Sequence, residues 1–165
     1  MSHAKQHGRS GTPATVAATK AKIDFTLHPY EPAPDAASYG EAAADALGVG
    51  HDRLFKTLVA EVDGDLTVAV VPVAATLDLK ALAAAVGGKR AQMADPQVAE
   101  RTTGYVVGGI SPLGQRRTLP TIIDTSVSGL ATVYVSAGRR GLQIELAPAD
   151  LVRLTGARTA EIARR

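Results

Sequence analysis

Two strand-like runs, residues 53–62 and 65–73, meet at Asp63-Gly64, and this junction limits what the chain can fold into more than any other feature. An Asp-Gly pair between two apolar, β-branched runs accepts the left-handed backbone of a tight hairpin turn. The chain therefore contains an antiparallel pair, and a regular alternation of strand and crossover helix is excluded. Other signals place helices around this hairpin. Thr12-Pro13 is a cap followed by a first-turn proline, and it opens a helix to about Lys22. Ser38 and Glu41 have capping-box spacing before an alanine-rich helix that Gly48 can end. Asp78 and Asp95-Pro96 start two more, ending near Val86 and Arg101, and Pro148 opens a last helix stopped by Gly156. Residues 25–28, 105–107, 121–123, 132–136 and 142–146 read as strands, 31–38 as a loop, and 159–163 as the segment that closes the domain. The fold class expected is mixed α/β: one domain, with a largely antiparallel, barrel-like sheet and peripheral helices.

Length and composition agree with one domain. The chain has 165 residues, 45% of them hydrophobic and 21% charged, which is neither disordered nor membrane-embedded in character. No apolar run approaches the roughly 20 residues that span a bilayer. Residues 1–11 are polar and without an apolar centre, so they read as a disordered or tag-like tail and not as a secretory signal. The absence of cysteine removes disulfides, thiolate metal sites and a cysteine nucleophile, and fits a reducing compartment. His28 and His51 have no metal-ligand spacing, so no metal is expected. Net charge is +2, but arginines fall in pairs, Arg116 with Arg117 and Arg139 with Arg140, each beside a glycine turn. Such pairs are either solvated turn residues or contacts to phosphates.

Lys56 resists a bland explanation. Alternate residues of a strand share a face, so Leu54, Lys56, Leu58, Ala60 and Val62 fall together with Lys56 as the one polar member. It either snorkels from a strand end or lines a cavity, where it would anchor a phosphate or a carbonyl gaining negative charge. The segment VVGGISPLG, 106–114, is the second candidate. Its glycines allow the backbone to approach a ligand, although a tight turn alone would also use them. Ser111 is not placed as a hydrolase nucleophile, because Pro112 has no N–H to give an oxyanion hole. The stretch at 87–90 lacks the first glycine and final Ser/Thr of a phosphate-binding P-loop. Tyr30 fits either core or pocket, and Asp150, in the first turn of the last helix, either complements the helix dipole or serves a site.

Several segments occur together and in order: TP at 12–13, LHPYE at 27–31, FKTLVA at 55–60, MADP at 93–96, TGYVVGGISPLGQRR at 103–117, LPTIID at 119–124, YVSAGRRGLQIELAPADL at 134–151, and a terminal EIARR. Read together, they closely resemble the YbaK/EbsC family, free-standing editing enzymes related to the insertion domain of bacterial prolyl-tRNA synthetases. The resemblance spans about 12–165, and the GGISPLG segment is its most specific part. It implies an editing domain over 12–165 that hydrolyses mischarged Cys-tRNA(Pro) in the cytoplasm, with the tRNA(Pro) acceptor end and prolyl-tRNA synthetase as partners. It implies no cofactor, membrane or DNA. Cysteine is close to proline in size, and pockets separate similar small groups poorly. The family's essential lysine matches Lys56. Its GxxxP loop matches Gly108, Gly109, Ile110, Ser111 and Pro112, its pocket tyrosine matches Tyr30, and an acidic position matches Asp150. In members that look like this chain the substrate's own thiol attacks its ester, and the enzyme supplies position and electrostatics. Arg116, Arg117, Arg139 and Arg140 would then touch tRNA phosphates. One position departs: the small or acidic residue usual in the GLxIE stretch is Gln143, which leaves the pocket's fine specificity open. Deacylation of Ala-tRNA(Pro) or of another small mischarged residue, or a non-catalytic aminoacyl-tRNA- or nucleotide-binding module, are the competing expectations.

Overall fold

The computed structural model describes residues 11–32 and 38–165. Among these residues, ten strands and five α-helices occur in the order α1 Pro13–Ala21, β1 Phe25–Pro29, α2 Tyr39–Leu47, β2 Phe55–Val62, β3 Asp65–Pro72, β4 Thr76–Leu77, α3 Leu79–Ala85, β5 Ala91–Met93, α4 Pro96–Thr103, β6 Thr121–Asp124, β7 Val133–Arg139, β8 Leu142–Leu146, α5 Pro148–Thr155, β9 Arg158–Ala160 and β10 Ala163–Arg164. A 3-10 helix, Thr125–Gly129, follows β6. The expected mixed α/β class is observed, with antiparallel pairings outnumbering the two parallel ones, β3 with β6 and β6 with β9. The strands hydrogen-bond as three sheets rather than as one closed barrel: β1-β8-β7, β5-β2-β3-β6-β9, and the small β10-β4 pair. The expected polar tail falls mostly on residues 1–10, and much of the expected 31–38 loop on 33–37; both lie outside the described residues.

The hairpin forms as its turn chemistry dictates. Asp63 at φ 51° and Gly64 at φ 90° close β2 onto β3, with Val62 opposite Asp65 and Phe55 opposite Pro72. β3 is buried on both faces. Val68 and Val70 join the main core with Phe25, Phe55, Ile123 and Ile144, while Ala69 and Val71 join a second cluster with Leu82, Ile122 and Ile162. Two covered faces explain why this strand is an apolar run without alternation. The helix caps follow the sequence signals. Thr12 Oγ1 accepts from the Thr15 amide at 3.1 Å, Ser38 Oγ accepts from Glu41, and Asp78 Oδ1 accepts from Ala81. The Thr12 hydroxyl also donates to the Ala137 carbonyl, which ties α1 to β7.

Two expectations are corrected. Residues 105–107 form no strand: Gly104, at φ 85°, ends α4 in a left-handed turn, and the chain then closes a second turn in which the Gly109 amide donates to the Val106 carbonyl. The valines there are exposed and mark a turn surface, not a pleat. The closing segment divides into β9 and β10, which belong to different sheets.

Asp124 anchors this C-terminal turn. It is 5% exposed, and its Oδ1 accepts from the amides of Ile162 and Ala163, each at 3.0 Å. Its Oδ2 accepts from the Ser126 amide at 3.1 Å and the Ser126 hydroxyl at 2.6 Å. Burial opposes the charge, but the Ser126 hydroxyl and these amides outweigh it and hold the carboxyl below the ordinary carboxylate range. A depressed folded-state value contributes stability that is complete above the unfolded value of about 3.9 and is lost as pH falls through the folded one. Asp124→Ala is expected to cost about 3 kcal/mol at neutral pH, because it strands buried amide donors. Denaturant titrations from pH 7 to pH 3 should show the gap between wild type and variant closing on the acid side.

Candidate active site

β2 begins where the two large sheets meet. The Arg53 carbonyl accepts from the Tyr134 amide at 3.0 Å, and Leu54 bridges Tyr134 in parallel orientation. Beside this contact Glu145 gathers polar partners. Its Oε1 lies 2.8 Å from His28 Nε2, and its Oε2 accepts from the Thr132 hydroxyl at 2.6 Å. Arg53 donates to that same hydroxyl at 2.8 Å and spans the Tyr134 ring at 5.3 Å. Burial raises the Glu145 carboxyl, but the Thr132 and His28 bonds outweigh it and hold it below its usual value. Beyond this junction the sheets diverge. A cavity of about 400 Å3 opens in the fork.

One wall is β2. It pairs with β3 along its whole length, but with β5 only at Ala60, Glu61 and Val62. Between the Tyr134 contact at Leu54 and the Ala94 amide on the Val59 carbonyl, the backbone edge of β2 has no strand partner among the described residues, and residues 54–59 all line the cavity. Lys56 is there, the cavity-lining one of the two positions that the strand pattern had left open. Thr57, expected on the opposite face, lines the cavity too, because an open strand edge shows both faces. The second wall is the polar face of the three-stranded sheet. Leu142, Ile144 and Leu146 of β8 point into the main core, so Gln143 falls on the other side, opposite Ser136 in β7 and His28 in β1. Ser136 and Gln143 both line the cavity.

The third wall is the glycine turn. Gly108 has φ 90°, and a Cβ there would lie 2.7 Å from Arg140 Nε and 2.9 Å from Tyr39 Cδ2. Only glycine fits so crowded and left-handed a position. The turn is held from three sides. Glu100 Oε2 accepts from the Val107 amide at 2.8 Å, and Arg140 donates through Nε and Nη2 to the Val107 carbonyl at 2.9 and 2.6 Å. The Ser136 hydroxyl donates to the Gly109 carbonyl at 3.0 Å. Arg140 also stacks over Tyr39, 4.4 Å from the ring centroid, at the start of α2. The Gly109 amide is spent on Val106, while among the described residues no acceptor takes the Gly108 amide.

Lys56, Gly108 and Ile110 thus line one cavity. The other sequence candidates lie elsewhere. Ser111 is fully buried with its Oγ accepting from the Leu113 amide, and Pro112 is buried beside it. Tyr30 packs by the small cluster of Ala43, Ala44, Leu54, Val73 and Tyr134. Asp150 pairs with Arg153 at 2.8 Å on α5. Arg116, Arg117, Arg139 and Arg140 are exposed. Residues not singled out as cavity-lining from sequence include Tyr39, Thr57 and Ser136. The only signal for Ser136 was its alternation with buried Val135 and Ala137, and nothing short of the tertiary fork marks Tyr39.

Lys56 is the one side chain of Asp, Glu, Lys, Arg or His type that lines the cavity among the described residues. It has no ion-pair or hydrogen-bond partner among them. Among the described residues no carboxylate or imidazole lines the cavity to act as a general base, and no group of three or more His, Asp or Glu side chains gathers. The arrangement supplies a cation, a free backbone amide and tight walls. These stabilise negative charge on a bound oxygen without removing a proton.

Comparison with known proteins gives the family to which this fold belongs. Residues 33–154 match the aminoacyl-tRNA editing domain. EbsC of Enterococcus faecalis, named as a candidate Cys-tRNA(Pro)/Cys-tRNA(Cys) deacylase, is 44% identical over 125 residues, covering 74% of this chain and 75% of that protein. A proline–tRNA ligase of Nitratidesulfovibrio vulgaris (strain DP4) is 32% identical over 130 residues, 79% of this chain but 21% of the ligase. A solved structure described as a candidate trans-editing enzyme for prolyl-tRNA synthetase shares the fold, with a TM-score of 0.80 and 24% identity, covering 93% of this chain and 96% of that one. A cavity with a lone lysine and a glycine turn, in a chain matched by the domain model over 33–154, makes this protein a member of the aminoacyl-tRNA editing domain family.

Proposed function

We propose that this chain is a deacylase that clears Cys-tRNA(Pro) in trans, in the cytoplasm, with the tRNA acceptor end and prolyl-tRNA synthetase as its partners. The observation that carries the reading is a cavity with one cation and no carboxylate or imidazole among its described lining residues. Such a site suits a substrate that brings its own nucleophile. The thiol of the cysteinyl ester gives up its proton, and its sulfur bonds to the ester carbonyl carbon. The carbon–oxygen bond to the terminal ribose breaks, and the ribose oxygen takes the proton. Water then opens the cyclic thioester to free cysteine. Lys56 holds the carbonyl or ribose oxygen as negative charge develops, and the Gly108 amide faces the same oxygen. Ile110 closes the wall beside it, while Gly109, Ser111 and Pro112 fix the turn. Arg116, Arg117 and Arg139 face solvent and are free to meet phosphates. Arg140 has a different task, holding the Val107 carbonyl and the Tyr39 ring. Tyr30 and Asp150 support the site from outside its described lining.

The test is a deacylation assay on tRNA(Pro) charged separately with cysteine, alanine and proline. Cysteine should be released and proline retained. Rapid loss of proline would remove the thiol-assisted account, and release of alanine alone would change the substrate. Lys56→Ala should leave thermal stability nearly unchanged, since the Lys56 side chain has no partner among the described residues to strand, while kcat/KM falls by about a hundredfold or more. Gly108→Ala should displace Arg140 and Tyr39 and lower kcat/KM by about a hundredfold through misplacement alone. Its cost in stability should be about 1–3 kcal/mol, set by the left-handed backbone and read by chemical denaturation.

A further inference from the structure

Two buried polar atoms of cavity-lining residues have no hydrogen-bond partner among the described residues: Gln143 Oε1 and Thr57 Oγ1. Both residues line the cavity. Gln143 is 5% exposed, so its amide oxygen has given up water without gaining a donor. Native structures rarely keep such a group, and where they do it points to a bound partner. The two residues reach the cavity from different sheets. Gln143 stands opposite Ser136, two residues beyond Tyr134, and Thr57 is three residues beyond Leu54, the partner of Tyr134. The fork therefore sets an acceptor on one wall and a hydroxyl on the other.

Lys56 and the Gly108 amide are donors, and they suit the oxygen atoms of an ester. The orphaned Gln143 oxygen needs the opposite, a donor. An aminoacyl ester carries a strong donor two bonds from its carbonyl carbon, the α-ammonium. We propose that Gln143, assisted by Thr57, takes the substrate's α-ammonium group and sets the pocket's preference for primary over secondary amino acids. A primary ammonium has three N–H bonds to share between the two acceptors. The ring nitrogen of proline has two, and a ring carbon occupies the third direction. This inference rests on the aminoacyl-ester reading above.

The experiment compares two esters of tRNA(Pro), one of cysteine and one of 3-mercaptopropionic acid, which keeps the thiol and lacks the α-amino group. In the wild type, kcat/KM should favour the cysteinyl ester by about ten- to a hundredfold, the range for a hydrogen bond to a charged group. Gln143→Met, which removes the acceptor at nearly constant length, should shrink that ratio toward one. Thr57→Val, of equal shape, should shrink it by a smaller factor and serves as the second probe if the first variant unfolds. A wild type that cleaves both esters equally overturns the proposal. So does a variant that loses activity on both esters in the same proportion, since Gln143 would then act on the fold or on Lys56. A wild type inert toward both esters, with Cys-tRNA(Pro) intact, overturns the deacylase reading itself and this inference with it.

Discussion

The parallel contact between Leu54 and Tyr134 is the constraint on which the site depends. Two sheets that shared a continuous ladder would bury their facing side chains against each other and leave no space. Here they are joined at the start of β2 and part beyond it. The cluster of Arg53, Thr132, His28 and Glu145 locks that joint from the polar side. Its members satisfy one another, and the Glu145 carboxylate has donors on both oxygens, so the joint holds polar atoms without leaving them stranded. A cavity between sheets is costly unless the surrounding cores are well packed. Phe55 fills the main core directly behind the fork, and Leu82 and Ile162 fill the second core across β3.

The glycine turn solves a different problem. A backbone amide is useful to a developing oxyanion only if it stays in place and is not already bonded. The turn achieves the first through Glu100, Arg140 and Ser136, which hold the atoms on either side of Gly108. It achieves the second because its own closing bond uses the Gly109 amide and leaves that of Gly108 unused. Arg140 links this turn to Tyr39 at the start of α2, and the turn and the helix start both line the cavity. The lysine and the amide thus sit on rigid elements, which is what electrostatic catalysis requires.

Much of the fold was legible because it is written in local chemistry. Asp63-Gly64, Thr12-Pro13, Ser38 with Glu41, and the helix-ending glycines act within a few residues of themselves, and each element appears where its signal lies. Residues 105–107 misled because two valines after a tyrosine have strand composition, whereas Gly104 and the bond from Gly109 to Val106 impose turns on either side. β4 and β5 are too short to carry a pattern and exist only through their partners, β10 and β2. Lys56 could be placed in a cavity by strand parity joined to the family resemblance. Thr57 could not, because parity assumes two covered edges and β2 has one uncovered along its first half. Gln143 was visible as a departure from the family's usual residue, but only the fork shows that it is buried without a donor.

Editing demands that the correct product survive, and proline differs from cysteine in two independent ways. It lacks a thiol, so a site without a base of its own cannot cleave it by the substrate-assisted route. It also carries a secondary nitrogen, which an acceptor pair on opposite walls binds less completely than a primary one. The first safeguard acts on the chemical step and the second on binding, so their discriminations multiply rather than overlap. A general base in the cavity would weaken the first safeguard by letting water attack any ester that entered. On the proposed reading, a lone lysine beside an orphaned amide is a more selective arrangement than a stronger hydrolytic centre would be, because the described lining offers no carboxylate or imidazole to activate water.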